Sequence, residues 1–135
     1  MGDTFISASD GKKIVQEASK WEDTKYVWGG ATTNGADCSG STWAIYRNAG
    51  FPYDVKYRSS SQFAHNPNFK MIPNTVPQAG DVAWWSGHVA IWAGDGDIWT
   101  AHNSGGHAYS KVPLSTWVKS RKGVQPKWYR FCKPE

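Results

Sequence analysis

The sequence predicts an α+β fold in which N-terminal helices, one with a cysteine at its start, pack on a mostly antiparallel sheet. Two observations carry this. Apolar residues recur at helical spacing early in the chain, over Ile14, Val15, Ala18 and Trp21 and again over Trp43, Ala44 and Ile45. From Gly80 onward the period changes to two, with glycine-containing turns at Ser86-Gly87 and at 94–97 between the runs.

In order along the chain, Asp10 precedes the first apolar stripe and is expected to cap a helix there. Tyr26-Val27-Trp28-Gly29-Gly30-Ala31 is a short aromatic segment broken by two glycines, where the backbone approaches a neighbour closely. A second helix is expected from Cys38 to Ala49, with Asp37 as its cap and Gly50 as its stop before Pro52. Residues 51–77 are polar and contain four prolines, so they read as a long covering segment with only a short helix around Ser61 to His65. Strands are expected over Val82–Trp85, His88–Ala93, Ile98–His102, His107–Val112 and Lys127–Cys132, with a short Leu114–Val118 segment before the last. The second and third of these form a hairpin. Without repeats, linkers or low-complexity tracts, residues 1–135 are expected to form a single catalytic domain.

Composition narrows the function. At 39% hydrophobic and 19% charged residues the chain is too apolar to be disordered. Nine Trp, six Tyr and five Phe exceed the needs of so small a core, which points to an aromatic cleft. The net charge of +4 favours an anionic partner, yet the densest basic stretch, Lys119 to Lys122, holds only three positive charges, so nucleic acid is not expected. No apolar run approaches the ~18 residues of a membrane span, and no secretory leader is evident in residues 1–10.

A cysteine in the first turn of a helix feels the partial positive charge of unpaired N–H groups, which favours the thiolate, so Cys38 is placed as a nucleophile. Cys132, at the end of an aromatic strand, reads as packing, and a Cys38–Cys132 disulfide is not expected. His88, opening a strand after a glycine, is the candidate general base. His65 and His107 read as surface residues. If the turn after the His88 strand has two residues, His88 shares its face with Asn103; if three, with His102. His102 is the favoured third residue and Asn103 the alternative. Metal is not expected, because neither His-Glu-x-x-His nor Cys-x-x-Cys is present; no cofactor is expected either.

Taken in order, Tyr26-Val27-Trp28-Gly29-Gly30, Asp37-Cys38-Ser39-Gly40 opening a helix, Gly80-Asp81-Val82, and His88-Val89-Ala90-Ile91-Trp92-Ala93-Gly94 closely resemble the motifs of the NlpC family of bacterial cell-wall cysteine peptidases. A kindred amidase family with a similar core also has a Gly-His-Val-Ala-Ile strand. The resemblance implies a papain-like core and hydrolysis of an amide in the stem peptide of peptidoglycan, often between γ-D-glutamate and a diamino acid. It implies Cys38 as nucleophile and His88 as base, with Tyr26, Asp37 and Ser39 shaping the substrate site. Family members commonly carry the third catalytic residue about twelve positions after the base, which in this chain is Thr100.

The expected partner is thus the stem peptide, met by a monomer acting on the cell wall without contacting a membrane. Lacking a leader, the chain suits a lysin released at lysis or an interbacterial toxin sent out by specialised secretion, with an inhibitor or immunity protein in the producing cell. Two rivals stand beside this reading. One keeps the fold but makes the enzyme an N-acetylmuramoyl-L-alanine amidase or an acyl transferase. The other is a non-catalytic wall-binding module in which Cys38 is incidental.

Overall fold

The computed structural model describes residues 4–73, 76–102 and 108–133. After a short strand β1 (Thr4–Phe5), helix α1 (Ala8–Ser19) starts one turn earlier than the sequence predicts. Ser7 is its cap, and Asp10 is the third helical residue, reaching back to the Ser7 N–H in a capping box. Strands β2 (Ala31–Thr32) and β3 (Gly35–Ala36) make a small hairpin before helix α2 (Cys38–Ala49). Asp37 caps α2 and Gly50, at φ 100°, ends it in the left-handed region, as expected.

The covering segment is more ordered than its composition suggests. It holds a 3₁₀ turn (Val55–Tyr57), a short helix α3 (Ser60–Phe63) and a strand β4 (Phe69–Ile72) absent from the sequence expectation. The sheet continues with β5 (Val82–Trp85), β6 (His88–Trp92), β7 (Asp97–Thr100) and β8 (Ser110–Pro113). Helix α4 (Leu114–Ser120) and β9 (Lys127–Lys133) complete the chain. The strand order is β1-β9-β5-β6-β7-β8, with β4 also pairing β9, and every pairing is antiparallel.

Alternation along the strands divides the core between the two sheet faces. Val82, Val89, Ile91, Trp99 and Tyr129 pack with Ile14 and Ala18 of α1 and Ala44, Ile45 and Tyr46 of α2. Ala83, Trp85, Ala90, Ile98 and Trp128 face the other way and cluster with Val118 of α4. The Gly80-Asp81 turn is fixed on both sides: the Tyr46 hydroxyl donates to the Gly80 carbonyl, and the Asp81 carboxylate accepts from Arg130 Nε at 3.0 Å and Nη2 at 2.9 Å. Such a forked pair in a buried place orients the turn that feeds β5. Among the described residues no helix is long and apolar enough to cross a membrane.

Candidate active site

The start of α2 is built around Asp37, which is only 6% exposed. One carboxylate oxygen accepts from the Gly40 N–H at 2.6 Å and the Ser39 hydroxyl at 3.3 Å, while the other accepts from the Gly29 N–H at 2.8 Å. Asp37 therefore caps the helix and also ties the Gly29 turn to it. Gly40 permits this approach, because a Cβ there would collide with the Gly30 carbonyl oxygen. Together the motif residues around Cys38 bring an aromatic turn against a helix N-terminus, with the thiol in the first turn of that helix.

Cys38, His88, Tyr26, Asp37 and Ser39 line one cleft of about 380 Å³, together with His102, Trp28, Arg58, Trp117 and Arg121. The thiol accepts from the backbone N–H of Val89, the residue that follows His88 along β6. Burial pushes the Cys38 thiol up, and the Asp37 carboxylate adds to this, against the N–H groups of Val89, Ser39 and Cys38 itself. The expected stabilisation of a thiolate by the helix start is therefore outweighed, because desolvation of a buried charge exceeds what partial charges on a few N–H groups return. Cys38 is a neutral thiol at neutral pH. Tyr26 is also pushed up, first by burial and then by the neighbouring Cys38 and Asp37.

His88 is 6% exposed and lies nearly flat on Trp117 of α4, with ring centroids 4.4 Å apart and planes at 25°. Burial, aided by Arg121 and His102, lowers its pKa to about 3, so the ring is neutral. Its Nε2 lies 2.7 Å from the Thr100 hydroxyl. That hydroxyl also lies 3.3 Å from the Val89 carbonyl oxygen, which can only accept. Thr100 thus gives its proton to Val89 and receives the Nε2–H, which leaves Nδ1 as the unprotonated nitrogen.

The ring's hydrogen bond runs to Thr100, whereas His102 was the residue expected to hold it. Ile91 pairs with Trp99 and Trp92 with Ile98, so the turn after β6 has three residues and positions 88, 98, 100 and 102 share a face. The ring nevertheless turns along the strand to the diagonal position, Thr100, which is 1% exposed. His102 sits in the cleft with Nε2 3.3 Å from the Ser110 hydroxyl and its ring edge-on to Trp117. Asn103 lies outside the described residues. Cys132 is buried, and no disulfide joins it to Cys38. Among the described residues no group of three or more His, Cys, Asp or Glu is placed to hold a metal ion.

Arg58, Trp117 and Arg121 were missed from the sequence. Arg58 donates to the Gly29 carbonyl at 3.2 Å, and Arg121 to the Ser86 carbonyl at 2.8 Å. The one available signal was the basic stretch at 119–122.

The ordered Cys and His motifs now sit in one cleft of an α+β fold, and sequence comparison agrees with that arrangement. The profile of the NlpC/P60 family matches residues 23–125. The chain belongs to the NlpC/P60 family. Among solved structures it is similar to the NlpC/P60 domain of the peptidoglycan hydrolase SagA, with 29% identity and a TM-score of 0.69, covering 89% of this chain and 97% of that one. A family protein from Bacillus cereus shares the fold at 23% identity and TM-score 0.75, with 96% of this chain and 41% of that one covered. The peptidoglycan hydrolase RipB from Mycobacterium tuberculosis does so at 20% identity and TM-score 0.73, covering 93% of this chain and 66% of that one. This chain therefore spans less than half of the Bacillus cereus protein and nearly all of the SagA domain. Among curated proteins none matches the chain. The NlpC/P60 likeness places the α+β arrangement within the papain-like group.

Proposed function

We propose that this NlpC/P60 chain is a cysteine peptidase of the cell wall that cleaves an amide of the peptidoglycan stem peptide, between a γ-D-glutamyl group and a diamino acid. The observation that carries the reading is a thiol in the first turn of α2 sharing a cleft with a neutral imidazole whose Nε2 proton is held by Thr100. His88 Nδ1 takes the Cys38 proton as the sulfur attacks the carbonyl carbon, so charge develops only during the attack. The backbone N–H of Cys38, at the helix start, faces the developing oxyanion. The C–N bond then breaks, the departing amine takes the proton from His88, and a Cys38 thioester remains. Water attacks the thioester, giving up a proton to His88, and the acid and the thiol are released. Tyr26 and Ser39 line the acyl side, while Asp37 holds that wall in place. Thr100 takes the third position in place of the expected His102.

The cleft also suits an anionic substrate, since Arg58 and Arg121 border it and the carboxylate of Asp37 is spent on structure. Digestion of defined muropeptides, read by product masses, tests the proposal. Wild type should yield a new γ-D-glutamyl terminus and a free diamino-acid amine, and Cys38→Ala should yield neither. Products cut at the sugar–peptide junction would instead make it an amidase, products joined to an added amine an acyl transferase, and no product at all a binding module.

A further inference from the structure

We infer that Arg121 forms the subsite for the residue that leaves as the amine, and that it selects a leaving residue carrying a side-chain carboxylate. The inference rests on the hydrolytic reading above and deepens it. In that reaction the sulfur bonds the acyl carbon and the imidazole protonates the amine, so the leaving residue lies on the imidazole side of the cleft. The structure distinguishes that side. Arg58 is tied to the Gly29 turn, which Asp37 binds to the start of α2, and so belongs with Cys38. Arg121 is tied to Ser86, two residues before His88, and follows α4, whose Trp117 stacks on the His88 ring.

Arg121 has the properties of a carboxylate receptor. Arg121 is half-buried as a residue and lines the cleft, and one N–H of its guanidinium is fixed to a backbone carbonyl at the exposed rim, which leaves the other donors for a forked contact. No carboxylate of the described residues pairs with it, whereas Arg130 is neutralised by Asp81. The backbone tether at Ser86 lowers the ordering cost of binding, because the planar fork is already held.

The test uses three stem peptides that differ only in the leaving residue: diaminopimelate with its free side-chain carboxylate, the same residue amidated, and lysine. Wild type should cleave the free carboxylate with kcat/KM about tenfold or more above the other two, in keeping with a charge-assisted pair. In Arg121→Gln the three values should converge, and Arg121→Lys should restore part of the difference. A loss of folding would lower all three together and so cannot imitate convergence. Equal wild-type rates on the three peptides, or a preference that survives in Arg121→Gln, would overturn the inference. If wild type cuts none of them, the hydrolytic reading fails. Titration of the same peptides into the Cys38→Ala protein then decides the subsite, where equal affinities reject it and a preference for the free carboxylate that Arg121→Gln removes supports it.

Discussion

The Cys38 thiol and the His88 ring are both held neutral, one by a raised and the other by a lowered affinity for protons, with burial the first cause in each case. Alkylation of Cys38 should therefore be slow at pH 7 and keep rising above pH 9; a rate that levels off below pH 8 would contradict the neutral pair. Thr100 is the residue on which the tautomer depends. Thr100→Val leaves a buried Nε2–H without an acceptor, at a cost of about 1–3 kcal/mol in unfolding free energy. It should also lower kcat/KM about tenfold or more, a share of the ~10²–10⁴ that a positioned base supplies, while Thr100→Ser keeps most of the rate. Chemical denaturation and steady-state kinetics on the two variants check this. The places of Asp37 and Cys38 at the start of α2 and of His88 at the start of β6 were legible in the sequence, because each is set by a few neighbouring residues. The contact of His88 with Thr100 was not, since an imidazole is the more obvious partner and the lean of a side chain along a strand is not written in the alternation.

Among the elements, α4 showed in the sequence only as a short segment, yet it covers the imidazole. It is a seven-residue helix with no side-chain cap, yet its Trp117 shields the His88 ring. Trp117→Ala should let water reach the imidazole and raise its pKa from about 3 towards the ordinary 6.5. Titration of the His88 ring by NMR reads this directly, and an unchanged midpoint would show that Trp117 is not the shield. Helix α2 and the hairpin of β6 and β7 were legible from caps, glycines and period. Strand β4 was not, because its partner β9 lies some sixty residues later and its own segment is polar and rich in proline. The cap of α1 was misplaced by three residues because Asp10 can serve either as a cap or as the far half of a capping box begun at Ser7. Arg58 and Arg121 reach the cleft only through the tertiary fold, and the basic stretch at 119–122 gave no sign of where Arg121 would lie.

For the whole molecule, the two neutral groups shape the dependence of stability on pH. In the unfolded chain His88 gains a proton below about pH 6.5, whereas in the fold it does so only near 3. The unfolded state thus binds more protons throughout that window, and stability falls as pH drops from 6.5 towards 3, by up to about 1.4 kcal/mol per unit. His88→Gln should flatten this slope in denaturation curves taken at several pH values, and a slope unchanged by the substitution would contradict it. Cys38 acts at the other end: its raised pKa makes the unfolded thiol ionise first, so stability is lost again as pH rises above 9. The contribution of these two groups to stability is thereby greatest where thiol and imidazole are both uncharged, which is the state from which the proposed attack begins. The most direct test of that attack is mass spectrometry of the protein quenched in acid during turnover of a stem peptide. An acyl group is expected on the peptide containing Cys38, lost on further incubation and absent from Cys38→Ala. Product release without any such adduct, or continuing in Cys38→Ala, would contradict a thioester at this sulfur.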